Sequence, residues 1–220
     1  IRAELKATDA VMQGLGSTSG VGKVALAGLT GVSNLLTDVR AKLTEMASSS
    51  ISTAQRTILK ADFDGLMSQA ANFLNNSEFN GINMFNSNAA DIKTISNLGG
   101  DELQISEQKA ALTAITSLAG ATIGNSSDAI SAIAGEFASL EKEVNTALGE
   151  LGKEMRAINL QTTFLTEVRD ATKEGLGNIV DADLAAESAR LTSLQVQQQL
   201  SQQALGIANQ RPQSLLSLFR

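Results

Sequence analysis

The stretch DAISAIAGEFASLEKEVNTALGELGKEMRAINLQTTFL, from Asp128 to Leu165, decides the fold. Its apolar residues fall at Ile130, Ile133, Phe137, Leu140, Val144, Leu148, Leu151, Met155, Ile158, Thr162 and Leu165, always three or four residues apart. This is a coiled-coil seam with one additional four-residue step, which locally relaxes a left-handed supercoil. Asp128 suits the N-cap, and no Pro interrupts the run. Some 40 residues of helix rise to roughly 60 Å. The expected fold is therefore mainly α, an elongated antiparallel helical bundle or coiled-coil rod.

Composition supports packing over catalysis. The 220 residues carry a formal net charge of −6 and no Cys, His, Trp or Tyr. Disulfides, thiolate metal sites, histidine general bases and Ser-His-Asp triads are thereby excluded. No metal, cofactor or enzymatic activity is expected. An acidic chain also lacks the clustered Lys and Arg that phosphate backbones require, so no nucleic-acid partner is expected. No apolar run approaches the roughly 18 residues of a membrane span. The N-terminus has no basic-then-apolar leader and opens inside an amphipathic pattern, so it is expected to be a truncation.

Upstream of the seam, Ile1 to about Gly14 has the pattern of a helix end. The Gly/Ser stretch from Gly14 to Gly22 is expected to break it. The pattern resumes to Ser48, and Ser52 with Gln55 forms a capping box opening a helix from Thr53 to Asn75. Its buried stripe is expected to be Ile58, Leu59, Phe63, Leu66, Met67, Ala70 and Phe73 or Leu74. A small β-hairpin region follows at about 80–106. Asn80-Gly81 and Gly99-Gly100-Asp101 supply turns, and short alternating runs supply strands. A short helix is expected from Glu107 to Leu118.

Downstream, Gly175 and Gly177 predict a break, with helix restarting at Asp181 or Asp183. The tail to Arg220 holds eight Gln from Gln195 onward. Its Leu191, Leu194, Val196, Leu200, Leu205, Ile207, Leu215, Leu216, Leu218 and Phe219 cannot all hide on one narrow face. Such a helix needs partners. The expected division is a helical rod over 1–177 and a helical assembly segment over 178–220.

The tail's motifs are specific. Asn178-Ile-Val-Asp-Ala-Asp-Leu-Ala-Ala-Glu-Ser-Ala-Arg-Leu191 and Ala208-Asn-Gln-Arg-Pro-Gln-Ser-Leu-Leu-Ser-Leu-Phe-Arg220 resemble the C-terminus of bacterial flagellin. Ile1-Arg-Ala-Glu-Leu-Lys-Ala7, Asp9-Ala-Val-Met-Gln-Gly14 and Glu78-Phe-Asn-Gly-Ile82 resemble its N-terminal half. The resemblance implies a minimal flagellin without large outer domains, a structural subunit that polymerises into the filament bacteria rotate for motility. It implies other flagellin subunits as partners, with an export chaperone and filament cap or junction proteins. It also implies an extracellular location at the flagellum or cell surface, reached without a cleaved signal peptide. Because flagellins carry further N-terminal residues that pair with the C-terminal helix, this chain alone is expected not to build a normal filament. An adhesive or polysaccharide-binding surface homologue is the alternative.

Assembly contacts are expected at Arg190 and Arg211, each inside a motif block, with Leu191, Leu194, Leu200, Leu205, Leu215 and Leu218 supplying packing. Thr37-Asp-Val-Arg-Ala-Lys-Leu43 aligns with a Q-R-V-R-E-L segment that many enterobacterial-type flagellins present to the vertebrate toll-like receptor. Arg40 matches, but Asp38 reverses a charge and Lys42 replaces an apolar anchor, so poor receptor activation is expected. Other patterns have plainer readings. Ser17 to Val24 (STSGVGKV) lacks two required positions of a phosphate loop. Asp181, Asp183 and Glu187 suit a helix N-terminus better than a cation site. Asp62-Phe-Asp-Gly65 lacks the remaining ligands of a calcium loop. Glu136, Glu141, Glu143, Glu150 and Glu154 are read as the rod's solvated side.

Overall fold

The computed structural model describes the backbone of residues 1–216 and, within them, every side chain except those of 181–183 and 208–216. The elements in order are α1 (Arg2–Ala47), α2 (Thr53–Asn75), β1 (Glu78–Phe79), β2 (Ile82–Asn83), β3 (Ile92–Ile95), β4 (Glu102–Ile105), α3 (Lys109–Ala119) and α4 (Ser126–Ala132). A π-helical turn, Ile133–Phe137, joins α4 to α5 (Ala138–Leu216). The chain forms two compact units, one of residues 6–168 and one of residues 1–5 with the chain from 169 onward. The mainly α fold expected from the seam is what forms.

Within the unit 6–168, α2 and α5 each run antiparallel to α1. Lys42 of α1 meets Asp62 of α2 at 3.5 Å, and farther back along α1 Gly31 lies under the Phe73 ring. Arg40 meets Glu141 near the start of α5, whereas Gly22 lies under Met155 farther along it. The core between them holds Leu29, Val32, Val39, Leu43 and Met46 from α1 and Phe63, Met67, Ala70 and Leu74 from α2. From α5 it takes Leu140, Val144, Leu151, Met155 and Ile158. The stripe expected on α2 is buried except at Ile58, which is exposed, while Leu59 and Leu66 are half-buried.

The predicted break between Gly14 and Gly22 does not occur; α1 is continuous over 46 residues. The reason lies in what touches this helix. A Cβ on Gly20 would come within 2.7 Å of the Phe79 ring, one on Gly22 would strike Met155, and one on Gly28 would strike Ser77. These glycines trade helix propensity, about 1 kcal/mol each, for close approach of the hairpin and of α5. Buried Val21, Ala25 and Leu29 hold the same turns in the core.

α2 starts as expected. The Gln55 amide donates to Ser52 Oγ at 3.3 Å, and the Ser52 amide donates back to Gln55 Oε1 at 2.9 Å. At the other end Asn83 organises the turn. Its Nδ2 donates to the carbonyls of Leu74 and Asn75, at 2.8 and 3.0 Å, and its Oδ1 accepts from the Phe85 and Asn86 amides. Orphan carbonyls at the α2 terminus are thus satisfied. β1 and β2 pair antiparallel through Asn80 (φ 51°) and Gly81 (φ 80°), the mirror-image turn that matches strand twist. β3 and β4 pair antiparallel from Ile92↔Ile105 to Ile95↔Glu102, with Gly100 at φ 92° in their connection.

Three details of the deciding stretch differ from expectation. Asn125, not Asp128, is the N-cap of α4. Asp128 stands three residues in and accepts from the Asn125 amide at 3.2 Å, completing a capping box. Ala129 and Ala132 are buried while Ile130 is 56% exposed, because the π turn inserts one extra residue before buried Phe137. Farther on, Ala147 is buried and Leu148 only half-buried, which moves the additional four-residue step to Leu151–Met155. Finally, α5 passes through Gly175 and Gly177 without the predicted break. Among the described residues, neither glycine has anything within 4 Å of its would-be Cβ.

Candidate assembly surface

The residues of the tail follow from its local sequence. Ala, Leu, Gln, Glu and Arg are strong helix formers, and no Gly other than Gly206 occurs from 184 to 207. The helix therefore forms without tertiary support: every residue of 184–207 is exposed. In a satisfied globular unit, large aliphatic residues at this density bury themselves. Here Leu184, Leu191, Leu194, Val196, Leu200, Leu205 and Ile207 all face solvent.

Their arrangement is not random. Leu191 follows Leu184 by seven residues, Leu194 follows by three more and Leu205 by eleven. Each of these steps is close to a whole number of turns at 3.6 residues per turn, so the four share one side. Val196, Leu200 and Ile207, separated by four and seven residues, share another. At ~100° per residue the two stripes lie on opposite sides of the helix. Gln197 and Gln199 fall between them.

Of the residues anticipated from sequence, Arg190, Leu191, Leu194, Leu200 and Leu205 lie on this exposed segment. The structure divides them, placing Leu191, Leu194 and Leu205 on one stripe and Leu200 on the other. The side chains of Arg211, Leu215 and Leu218, and those of Asp181 and Asp183, lie outside the described residues. Sequence reasoning missed Leu184 and Ile179. Ile179 sits within the expected break, and Leu184 becomes part of a stripe only when the helix is continuous.

A second surface lies on α1. Asp38 is exposed. Arg40 sits 3.5 Å from Glu141 and 5.8 Å from the Phe137 ring centroid, so its guanidinium is held against α5. Lys42 is half-buried between Glu45 at 3.6 Å and Asp62 at 3.5 Å. The position where the resemblance expects an apolar anchor thus carries an ammonium shared by two carboxylates.

Ser17 to Val24 lies inside α1, with Thr18, Ser19, Val21 and Gly22 buried, so no loop is free to cradle a phosphate. Asp62 pairs with Lys42, and Asp64 with Lys60 at 2.8 Å. The acidic row on α5 is not wholly solvated, which corrects the expectation. Glu154 accepts from the Ser106 amide at 3.1 Å and its hydroxyl at 2.7 Å. Glu150 accepts from Gln108 Nε2 at 3.4 Å. These two carboxylates hold the β4–α3 connection against α5. Among the described residues, no helix is long and apolar enough to cross a membrane.

The comparisons agree with this geometry at both ends. A family model described as the bacterial flagellin N-terminal helical region matches residues 1–90, and the bacterial flagellin C-terminal helical region matches residues 135–219. The chain is 38% identical over 194 residues to flagellin FljJ of Caulobacter vibrioides, covering 86% of this chain and 70% of that protein. It is 34% identical over 200 residues to FljM of the same organism, covering 90% and 72%. A flagellin of Brucella melitensis is 29% identical over 236 residues, covering 100% and 81%. In fold, the chain is similar to the crystal structure of Bacillus cereus flagellin, with TM-score 0.59 at 16% identity over 72% of this chain and 88% of that one.

Proposed function

The chain belongs to the bacterial flagellin family, and from that premise we propose how its exposed helix serves the filament. As a flagellin it is a structural protein, not an enzyme. It polymerises with other flagellin subunits into the extracellular flagellar filament. The observation that carries the assembly reading is the unbroken exposure of residues 184–207 with seven large aliphatic side chains. The assembly segment extends over 178–220 and the rod domain over 1–177. Leu191, Leu194, Leu200 and Leu205 pack against other helices in the polymer, joined by Leu215 and Leu218. Arg190 and Arg211 supply polar contacts at the same interface.

The further partners proposed are an export chaperone that covers the apolar tail before secretion, and cap and junction proteins at the filament ends. Export proceeds through the flagellar secretion channel without a cleaved signal peptide. Asp38 and Lys42 make this subunit a weak activator of the vertebrate toll-like receptor, and D38R/K42L is expected to raise the response of reporter cells. Nothing in the relatives or the described residues favours the adhesive or polysaccharide-binding alternative. Electron microscopy of the full-length flagellin, not of residues 1–220 alone, after depolymerisation and reassembly tests the reading. Filaments are expected, whereas glycan binding by a protein that never polymerises would overturn it.

A further inference from the structure

The π turn between α4 and α5 holds a choice that the rest of the unit 6–168 does not. Upstream of it Ala129 and Ala132 are buried; downstream Phe137 and Leu140 are. Ala132 and Phe137 are five residues apart, a spacing that only a widened turn keeps on one face. With ordinary α geometry through 133–137, the residues in phase with Phe137 and Leu140 are Ile133 and Ile130. The same sequence thus writes two registers. In the observed one, two alanines face the core and Ile130 stands 56% exposed. In the other, Ile130 turns inward, Ile133, already half-buried, turns fully inward, and the alanines turn out.

We propose that α4 is a two-register element, with the π turn storing one residue that α4 takes up when it rotates by about 100° into the second register. Opposing costs bring the registers close. The observed register has the weaker hydrogen-bond geometry of a widened turn and leaves Ile130 in water. The second register must fit isoleucines where alanines pack. Room for the movement exists on both sides. Gly135, inside the turn, has nothing within 4 Å of a would-be Cβ, and it lines an open groove of about 530 Å³ against Ala110 and Ala114 of α3. At the other end, residues 120–125 connect α3 to α4 without helix or strand and contain Gly120 and Gly124, which can yield one residue if the buried Ile123 side chain shifts with them. The Asn125–Asp128 capping box is local to α4 and travels with it. Downstream, buried Leu140, Val144, Ala147 and Leu151 fix the register of α5, with Arg40 over Phe137 and beside Glu141, so α4 is the part that turns. The consequence is a change of exposed face beside the α3 groove, Ile130 outward in one register and Ala129 with Ala132 outward in the other.

Because the chain has no Cys, a single introduced thiol reports the register directly. Ala132→Cys tests the residue that exchanges, and Ala147→Cys, on a buried position of α5, reports opening of the whole unit. Deleting Ala134 removes the stored residue, leaving Ala132 four residues from Phe137 and α4 with the alanine face inward in plain α geometry. Reaction of the A132C thiol with a small thiol reagent is expected to slow at least about tenfold on the deletion, as when a state populated at roughly 1% is abolished. Reaction of the A147C thiol is expected not to change. Ile130→Asn gives a second arm that keeps chain length, since it places an amide in the core only in the second register. It too is expected to slow the A132C thiol and leave the A147C thiol alone. Equal A132C rates with and without these changes, or A132C rates that merely track those of A147C, would overturn the proposal. The readout needs no polymer, so its failure is separate from any failure of filament assembly.

Discussion

Replacing Leu191, Leu194 and Leu205 together by Ala removes most of one apolar stripe without touching any packed core. Burying a leucine completely contributes ~1.5–3 kcal/mol. In the subunit these side chains are already partly shielded by the helix itself, with 52%, 53% and 64% still exposed. Assembly therefore recovers about half of that amount, ~1 kcal/mol for each leucine, or ~3 kcal/mol for the three. At 1.4 kcal/mol per decade, the critical concentration for polymerisation should rise by about a hundredfold. Pelleting of the polymerisation-competent protein over a concentration series measures this directly. The thermal midpoint of the unpolymerised subunit should stay put, because surface changes that disturb no contact usually move stability by less than about 0.5 kcal/mol. The pair Q197A/Q199A, lying between the stripes, is the matched control. A critical concentration within about threefold of the parent, or a clear loss of subunit stability, would refute the reasoning, since either means the stripe is not a surface held for assembly.

Three further outcomes are expected in the unit 6–168. Gly28→Ala should destabilise by about 1–3 kcal/mol, because the new methyl meets the Ser77 hydroxyl and the Phe73 carbonyl. Gly149→Ala, with open space around it, should instead stabilise by up to about 1 kcal/mol; paired urea melts compare them. Asn83→Ala should cost roughly 2–4 kcal/mol, from four hydrogen bonds worth about 1 each. Asn83→Asp should be worse at neutral pH, where a carboxylate faces two carbonyls, and should recover as acid protonates it; chemical melts at two pH values show the sign. Arg56 is 8% exposed, donates from Nη2 to the Ser48 carbonyl at 3.1 Å, and among the described residues has no protein partner for Nη1. Arg56→Met should therefore change stability by less than about 1 kcal/mol, whereas Arg56→Ala, which leaves a cavity, should cost roughly 2 kcal/mol or more on the same melts.

What could be read from sequence was local. Ser52 and Gln55 cap α2 through each other, and Asn80-Gly81 adopts its turn because those two residues tolerate positive φ. Neither depends on a distant partner. The misreadings depended on one. Gly20, Gly22 and Gly28 look like helix breakers until Phe79, Met155 and Ser77 are found filling the space their missing side chains leave. Ile130 looks like a seam residue because its spacing to Phe137 is correct for an α-helix, whereas its neighbour in the pattern, Ile133, does lie half-buried against the core. Only the core's preference for Ala129 and Ala132 shows that the turn is widened, and that preference is a property of the assembled packing. At the tail the sequence carried more: its apolar residues signalled missing partners, although the split into stripes emerged only with a continuous α5.

The stripes also bear on the kind of assembly the proposed interface can make. A helix with one apolar stripe is satisfied by one neighbour, and a self-complementary pair through that stripe closes on itself as a dimer. Leu184, Leu191, Leu194 and Leu205 on one side, with Val196, Leu200 and Ile207 on the other, leave such a dimer with apolar surface still exposed. A second neighbour must cover it. Two different patches on opposite sides of one helix define heterologous contacts, and these propagate unless a rotation closes them. The V196A/L200A/I207A variant separates the two steps. With the first stripe intact, it should still form small oligomers by sedimentation while losing long polymers; loss of all association at once would mean that the stripes act as a single surface.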